Sequence, residues 1–249
     1  MRVFLINLDK NKDRLEKSAT ILNALGVAFE RVEAVYGKDL SAEEKNDAVD
    51  NFRWWCAQGR RIRDGEIGCA LSHHKIYKLM QEDDIDCACI LEDDNVYRDN
   101  FKVVLGDVER LIDPTRPQVV LLSNCTDDRG FGNETQLNKA KGDQWTSSYV
   151  ITRPAAKAIL NANLPIQAPC DSWQRWTRRG IISLYHSFPT IAVQDGHPLF
   201  SYGIEVGDPY MSDIEGGENE RVCNFSIGRK VLHKLKRVVG IVIDNLLPL

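Results

Sequence analysis

Short apolar runs alternate with helical periodicities along most of this chain. Val3 to Leu8 is rich in branched residues and gives way to polar ones at Asp9, which predicts a buried strand. Leu15, Ala19, Leu22 and Leu25 then recur at helical spacing, with Gly26 where a C-terminal cap belongs, so a helix should run from Asp9 or Asn11 to Leu25. Phe29 to Val35 reads as a second strand, and a strand-helix-strand unit favours a parallel sheet. Residues 37–65 are polar and irregular, which predicts a long surface loop around the run Arg53-Trp54-Trp55-Cys56-Ala57-Gln58-Gly59-Arg60-Arg61-Ile62-Arg63. Ile67, Ala70, Leu71, Ile76 and Leu79 share one side of a helix over 66–82, and the strand Asp86 to Leu91 follows. A helix from Tyr97 to Leu111 leads through Pro114 and Pro117 to a strand at Gln118 to Ser123, and 126–144 reads as a mobile loop. Further on come a strand at Ser148 to Thr152, helices at Pro154 to Leu160 and Asp171 to Arg179, and short strands at Ile181 to Leu184 and Thr190 to Val193.

The order predicts one α/β domain over residues 1–226, with no repeat and no linker between halves. Residues 227–249 differ from it. Val231, Leu232, Leu235, Val238, Val239, Val242 and Leu246 form an apolar stripe, and five Lys/Arg against one Asp crowd the same segment. A basic amphipathic helix of this kind suits an anionic membrane surface, where each nearby cation contributes about 1 kcal/mol. The same stripe would equally serve a terminal helix packed on the domain.

Charge makes that division sharper. The 249 residues carry a formal −4, so a tail of +4 leaves −8 on the body. An acidic body gives no reason to expect a nucleic acid as partner. No unbroken apolar run is long enough for a membrane-spanning helix, and the N-terminal apolar run is too short for a secretory signal. The seven cysteines, at 56, 69, 87, 89, 125, 170 and 223, show no Cys-x-x-Cys pair and no regular spacing. That argues against a disulfide framework or a zinc cluster, and places the protein in a reducing cytosol.

The most informative chemistry is Glu92-Asp93-Asp94, three carboxylates directly after an apolar strand. Like charges this close are stable only if solvated or neutralised by a cation. In open α/β sheets the carboxyl ends of strands face the ligand crevice, and hard divalent cations take carboxylate oxygens there. Taken alone, the triplet reads about equally well as a solvated acidic turn.

Leu91-Glu92-Asp93-Asp94, preceded by Gly65-Glu66-Ile67-Gly68-Cys69-Ala70-Leu71-Ser72-His73, resembles glycosyltransferase family 25. Ile6-Asn7-Leu8 with Arg14, Ala34-Val35-Tyr36-Gly37, Tyr149-Val150-Ile151 and Pro169-Cys170-Asp171 match it in consistent order over roughly residues 2–215. That family builds bacterial lipooligosaccharide and includes collagen galactosyltransferases. The resemblance implies a GT-A-like fold, with a mostly parallel central sheet flanked by helices and a Rossmann-like nucleotide-binding half. It also implies an inverting enzyme that uses Mn²⁺ or Mg²⁺ and a UDP-sugar, with galactose the expected sugar and a lipid-anchored glycan the acceptor.

Under that resemblance Asp94 is the direct metal ligand, and Glu92 and Asp93 reach the ribose or a metal-bound water. Glu-Asp-Asp departs from a strict D-x-D at its first acid. Asn7, Leu8 and Arg14 fall in the part expected to hold the nucleotide, and Ser72 with His73 are candidates to bond donor hydroxyls or phosphate. Asp171 is the candidate base that takes the acceptor proton, or else the N-cap of its helix. His197, and less well His186, are candidates for a further metal ligand. Trp173 and Trp176 read as core, with sugar stacking as the alternative. Together with the tail, this predicts a cytoplasmic enzyme peripheral on the inner membrane face. Two other functions fit the residues less well: a metal-dependent phosphotransferase or phosphatase, for which no phosphate-cradling glycine loop exists, and a non-catalytic membrane-peripheral binding module.

Overall fold

A computed structural model describes residues 1–123, 134–140 and 146–195. Its elements are β1 (Arg2–Asn7), α1 (Lys12–Ala24), β2 (Glu30–Glu33), α2 (Ala42–Ala48), α3 (Asn51–Gln58), α4 (Asp64–Glu82), β3 (Cys87–Glu92), β4 (Asn95–Tyr97), α5 (Phe101–Leu111), β5 (Gln118–Leu121), β6 (Gln136–Lys139), β7 (Ser148–Thr152), α6 (Arg153–Asn163), α7 (Trp173–Arg178), β8 (Ser183–Phe188) and β9 (Ala192–Gln194).

The strands form a seven-stranded sheet in the order β2-β1-β3-β7-β5-β8-β6 and a two-stranded sheet of β4 and β9. β1 runs parallel to β2 and to β3, and β5 runs parallel to β8. β7 and β6 run against their neighbours. The sheet is therefore mixed, with five of its seven strands running in one direction, and β2-β1-β3 forms the parallel unit that the strand-helix-strand reading predicts.

Strand periodicity decides what covers each face. In β1, Phe4 and Ile6 join Ile76, Tyr77, Met80, Ile159, Trp173 and Trp176 in one core layer, while Val3 and Leu5 join Leu22, Phe101, Val104 and Val108 in the other. In β3 the same alternation splits Ala88 and Ile90 from Cys89 and Leu91. Both aromatic rings of α7 are thus core, and neither is a platform for a sugar.

The region read as a surface loop at 37–65 folds instead into α2 and α3. Local capping accounts for this: Ser41 and Glu44 form a reciprocal capping box, and Asp50 accepts from the Arg53 amide at 2.9 Å. Trp54 then anchors the segment by burying itself with Val49, Ile67, Ala70 and Ile166. The helix expected from Tyr97 begins only at Phe101, because Asn95–Tyr97 pairs with Ala192–Gln194 as β4 and β9. Part of the loop expected at 126–144 is strand β6, which pairs with β8. The tail over 227–249, the domain limit at 226 and His197 lie outside the described residues. Among the described residues no helix is long and apolar enough to cross a membrane.

Candidate active site

The carboxyl ends of β1 and β3, the segment after β2 and the first turns of α4 enclose an open cleft. Asn7, Leu8, Arg14, Tyr36, Cys69, Ser72, His73, Glu92, Asp93 and Asp94 are all among its lining residues, so the candidate donor residues converge with Asp94, whereas His186 and Asp171 are not among them. Two glycines make the convergence possible. A Cβ on Gly37 would stand 1.8 Å from the Asp64 carbonyl oxygen, and one on Gly68 would stand 2.4 Å from that of Val35. Only glycine at both positions lets the segment after β2 lie against the start of α4.

Each of the three acids has a different environment. Glu92 accepts from Thr146 Oγ1 at 2.7 Å and pairs with His73 Nε2 at 3.1 Å. Burial works against its charge, but the bonds from His73 and Thr146 outweigh it and hold the carboxyl below its ordinary value. Asp93 accepts from Asn7 Nδ2 at 2.6 Å and has Arg14 Nη1 at 3.4 Å. Asp94 accepts from Gln194 Nε2 at 2.6 Å on one oxygen, and its other oxygen is buried with no partner among the described residues. Burial first, and then the neighbouring Glu92 charge, push the Asp94 carboxyl up to about 7.

A buried carboxylate oxygen without a donor, beside two further acids, is a site short of positive charge. A hard divalent cation fits that oxygen-only set. Asp195, which the sequence reading missed, belongs to the same neighbourhood. Its amide donates to the Asp94 carbonyl at 2.7 Å, Lys17 Nζ reaches its Oδ2 at 2.5 Å, and its buried Oδ1 also has no partner among the described residues. The β4–β9 pairing brings these two residues together, and no local motif announces it.

The family model described as glycosyltransferase family 25 (LPS biosynthesis protein) matches residues 1–173. The chain belongs to glycosyltransferase family 25. Procollagen galactosyltransferase 1-A of Xenopus laevis is 31% identical over 178 residues, covering 64% of this chain and 28% of that protein. Procollagen galactosyltransferase 2 of Homo sapiens is 27% identical over 242 residues, covering 89% of this chain and 38% of that one. The family 25 chain thus spans well under half the length of these relatives. A solved glycosyltransferase involved in glycosylation of the major capsid of PBCV-1 superposes over 78% of this chain and 92% of its own, at 10% identity and a TM-score of 0.37.

Several motif residues of this family 25 chain are engaged within the protein. Ser72 Oγ accepts from the Val35 amide at 2.8 Å and donates to the Gly68 carbonyl at 2.7 Å, so it fixes the cleft wall. His73 is buried, with Nδ1 bonded to Tyr149 Oη at 2.7 Å and Nε2 to Glu92; it orients Glu92 from below. Asn7 donates to the Asn11 carbonyl and to Asp93 and accepts from Arg31 Nε at 3.1 Å. Ser72, His73 and Asn7 therefore shape the site that the ligand meets. Tyr36, to which the sequence reading gave no role, stands in the cleft wall with Lys10 Nζ 4.1 Å from its ring centroid.

Asp171 is half-buried, and the N-cap of α7 is Ser172, so Asp171 does not fill the cap position. It follows Cys170, whose Sγ is 3.2 Å from that of the cleft residue Cys69. His186 lies buried within β8, in register with Leu121 of β5 and Asn138 of β6.

Proposed function

We propose that the chain is a metal-dependent, inverting glycosyltransferase that moves galactose from a UDP-sugar to a lipooligosaccharide glycan at the inner membrane face. The observation that carries this reading is Asp94, a buried carboxylate with one oxygen lacking a donor among the described residues, at the carboxyl end of β3 in a cleft built from β1 and α4. Membership of family 25 favours sugar transfer over phosphotransfer, and over a cleft that only binds.

In this reading Asp94 and, beside it, Asp195 hold the cation, with His197 as a further candidate ligand. Bound there, Mn²⁺ or Mg²⁺ neutralises charge that develops on the leaving diphosphate. Asp93 faces the ribose, kept in place by Asn7 and Arg14. Glu92, ionised and held by His73 and Thr146, adds the negative charge that draws the cation in. The Tyr36 ring offers a face to the uracil, a stacking contact of about 1–3 kcal/mol. Asp171 takes the proton from the acceptor hydroxyl as that oxygen attacks the anomeric carbon. The basic tail holds the enzyme against anionic lipid, near a lipid-anchored acceptor.

The test is a donor-hydrolysis screen across UDP-sugars with and without Mn²⁺, followed by transfer to a glycan acceptor array. Metal-dependent turnover of UDP-galactose and a glycan product are expected. Turnover that is unaffected by chelation contradicts the metal assignment, and a preference for another nucleotide sugar contradicts the donor.

A further inference from the structure

Cys69 and His73 lie one turn apart on α4, and Cys170 stands between α6 and α7. The Cys69 and Cys170 Sγ atoms are 3.2 Å apart, although the residues are 101 positions apart in sequence. Both thiols are free, both residues are only half-buried, and Cys69 lines the open cleft. The other described cysteines lack this combination. Cys56 and Cys89 are buried, and Cys87 has the Met1 thioether at 3.8 Å as its sulfur neighbour. A disulfide needs about 2.05 Å between the sulfurs, so the pair must close by only about 1 Å.

The two sulfurs and a His73 nitrogen also lie within 4.8 Å of one another, close enough to surround a soft cation. Both His73 nitrogens, however, are already bonded, to Tyr149 and to Glu92. Ligation would cost one of those bonds, whereas joining the sulfurs replaces their mutual contact and perturbs only the 3.8 Å contact of Cys170 Sγ with Thr146 Oγ1.

We propose that Cys69 and Cys170 form a reversible disulfide in the cleft wall by exchange with a low-molecular-weight disulfide. One thiol loses its proton and attacks a sulfur of the small disulfide, forming a mixed disulfide and releasing one small thiolate. The second cysteine, as thiolate, then attacks the protein sulfur of that mixed disulfide and expels the other small thiolate. The two protons lost by the cysteines end on the two small thiols, so the protein is oxidised by two electrons and the small disulfide is reduced by two. The bond ties α4 to the segment that carries Asp171, one residue beyond Cys170. No sugar donor takes part, so the outcome is independent of the catalytic reading.

The full chain is incubated with oxidised glutathione, alkylated, digested without reduction and read by mass spectrometry. The expected product is a peptide pair joined through Cys69 and Cys170, in a protein lighter by two hydrogens, which dithiothreitol returns to the starting mass. Cys170→Ser and Cys69→Ser each lose that pair while keeping the circular dichroism of the parent. Three results overturn the proposal: both thiols remain open to alkylation, glutathione accumulates on either cysteine without a cross-link, or one equivalent of Zn²⁺ shields both thiols in a chain that glutathione does not cross-link.

Discussion

Gln194 Nε2 donates to Asp94 Oδ2 at 2.6 Å, a bond between residues 100 positions apart that leaves Asp94 Oδ1 buried without a partner among the described residues. The β4–β9 pairing makes this bond possible by holding the end of the acidic triplet against the end of β9. An acid placed this way contributes little to folding and has a free oxygen for a cation. Asp94→Asn should therefore lower metal-dependent turnover about 100-fold or more while leaving the melting temperature unchanged or higher. Steady-state rates at saturating Mn²⁺, alongside thermal denaturation, check both halves.

The contact between the segment after β2 and α4 makes a second expectation. Gly37→Ala should destabilise the protein by about 1–3 kcal/mol or prevent folding, because the new methyl meets the Asp64 carbonyl at 1.8 Å and backbone must move. Gly106→Ala is the control, since a Cβ there meets nothing within 4 Å in the middle of α5. It should stabilise by about 0.5–1 kcal/mol. Urea denaturation of both variants measures the contrast.

Ser72 is expected to act through the backbone it holds. Ser72→Ala leaves the Val35 amide without its partner, which should cost about 1–3 kcal/mol of stability. UDP affinity at a temperature where the variant is folded should change less than threefold. A large loss of affinity in a fully stable variant would mean that Ser72 touches the donor directly.

Stability should also depend on pH through His74. Burial, then the neighbouring His73 and Lys78, lower its pKa from the ordinary 6.5 to about 4. Above pH 6.5 neither the folded nor the unfolded chain binds this proton, and His74 has no effect. Between 6.5 and 4 the unfolded chain binds it and the folded chain does not, so stability falls with pH, by about 3 kcal/mol when complete. Below 4 both states bind it and the loss levels off. Chemical denaturation at pH 7 and pH 5 should show a shallower slope for His74→Leu than for the parent.

The parts of this fold that the sequence revealed are those with local causes. β1, α1 and β3 follow from apolar runs, periodicity and the left-handed Gly26, and the acidic triplet falls at a strand end as its pattern predicts. The mistaken loop at 37–65 shows the limit of hydropathy, because polar residues there are caps and the buried contact comes from the scattered apolar residues Val49 and Trp54, with Leu40, Ala48 and Ile62 packed beside them. In the site, Asn7, Ser72 and His73 line the cleft, but their partners are not legible in the sequence. Val35, Tyr149 and Asp93 meet them only through tertiary contacts 37, 76 and 86 residues away. Asp195 was invisible for the same reason.

Isothermal titration of UDP into the full chain, with and without Mn²⁺, tests the central claim most directly. Binding that requires the metal in the parent and disappears in Asp94→Asn is the result expected. UDP binding of equal strength with and without metal, or metal-dependent binding that survives in Asp94→Asn, would contradict it.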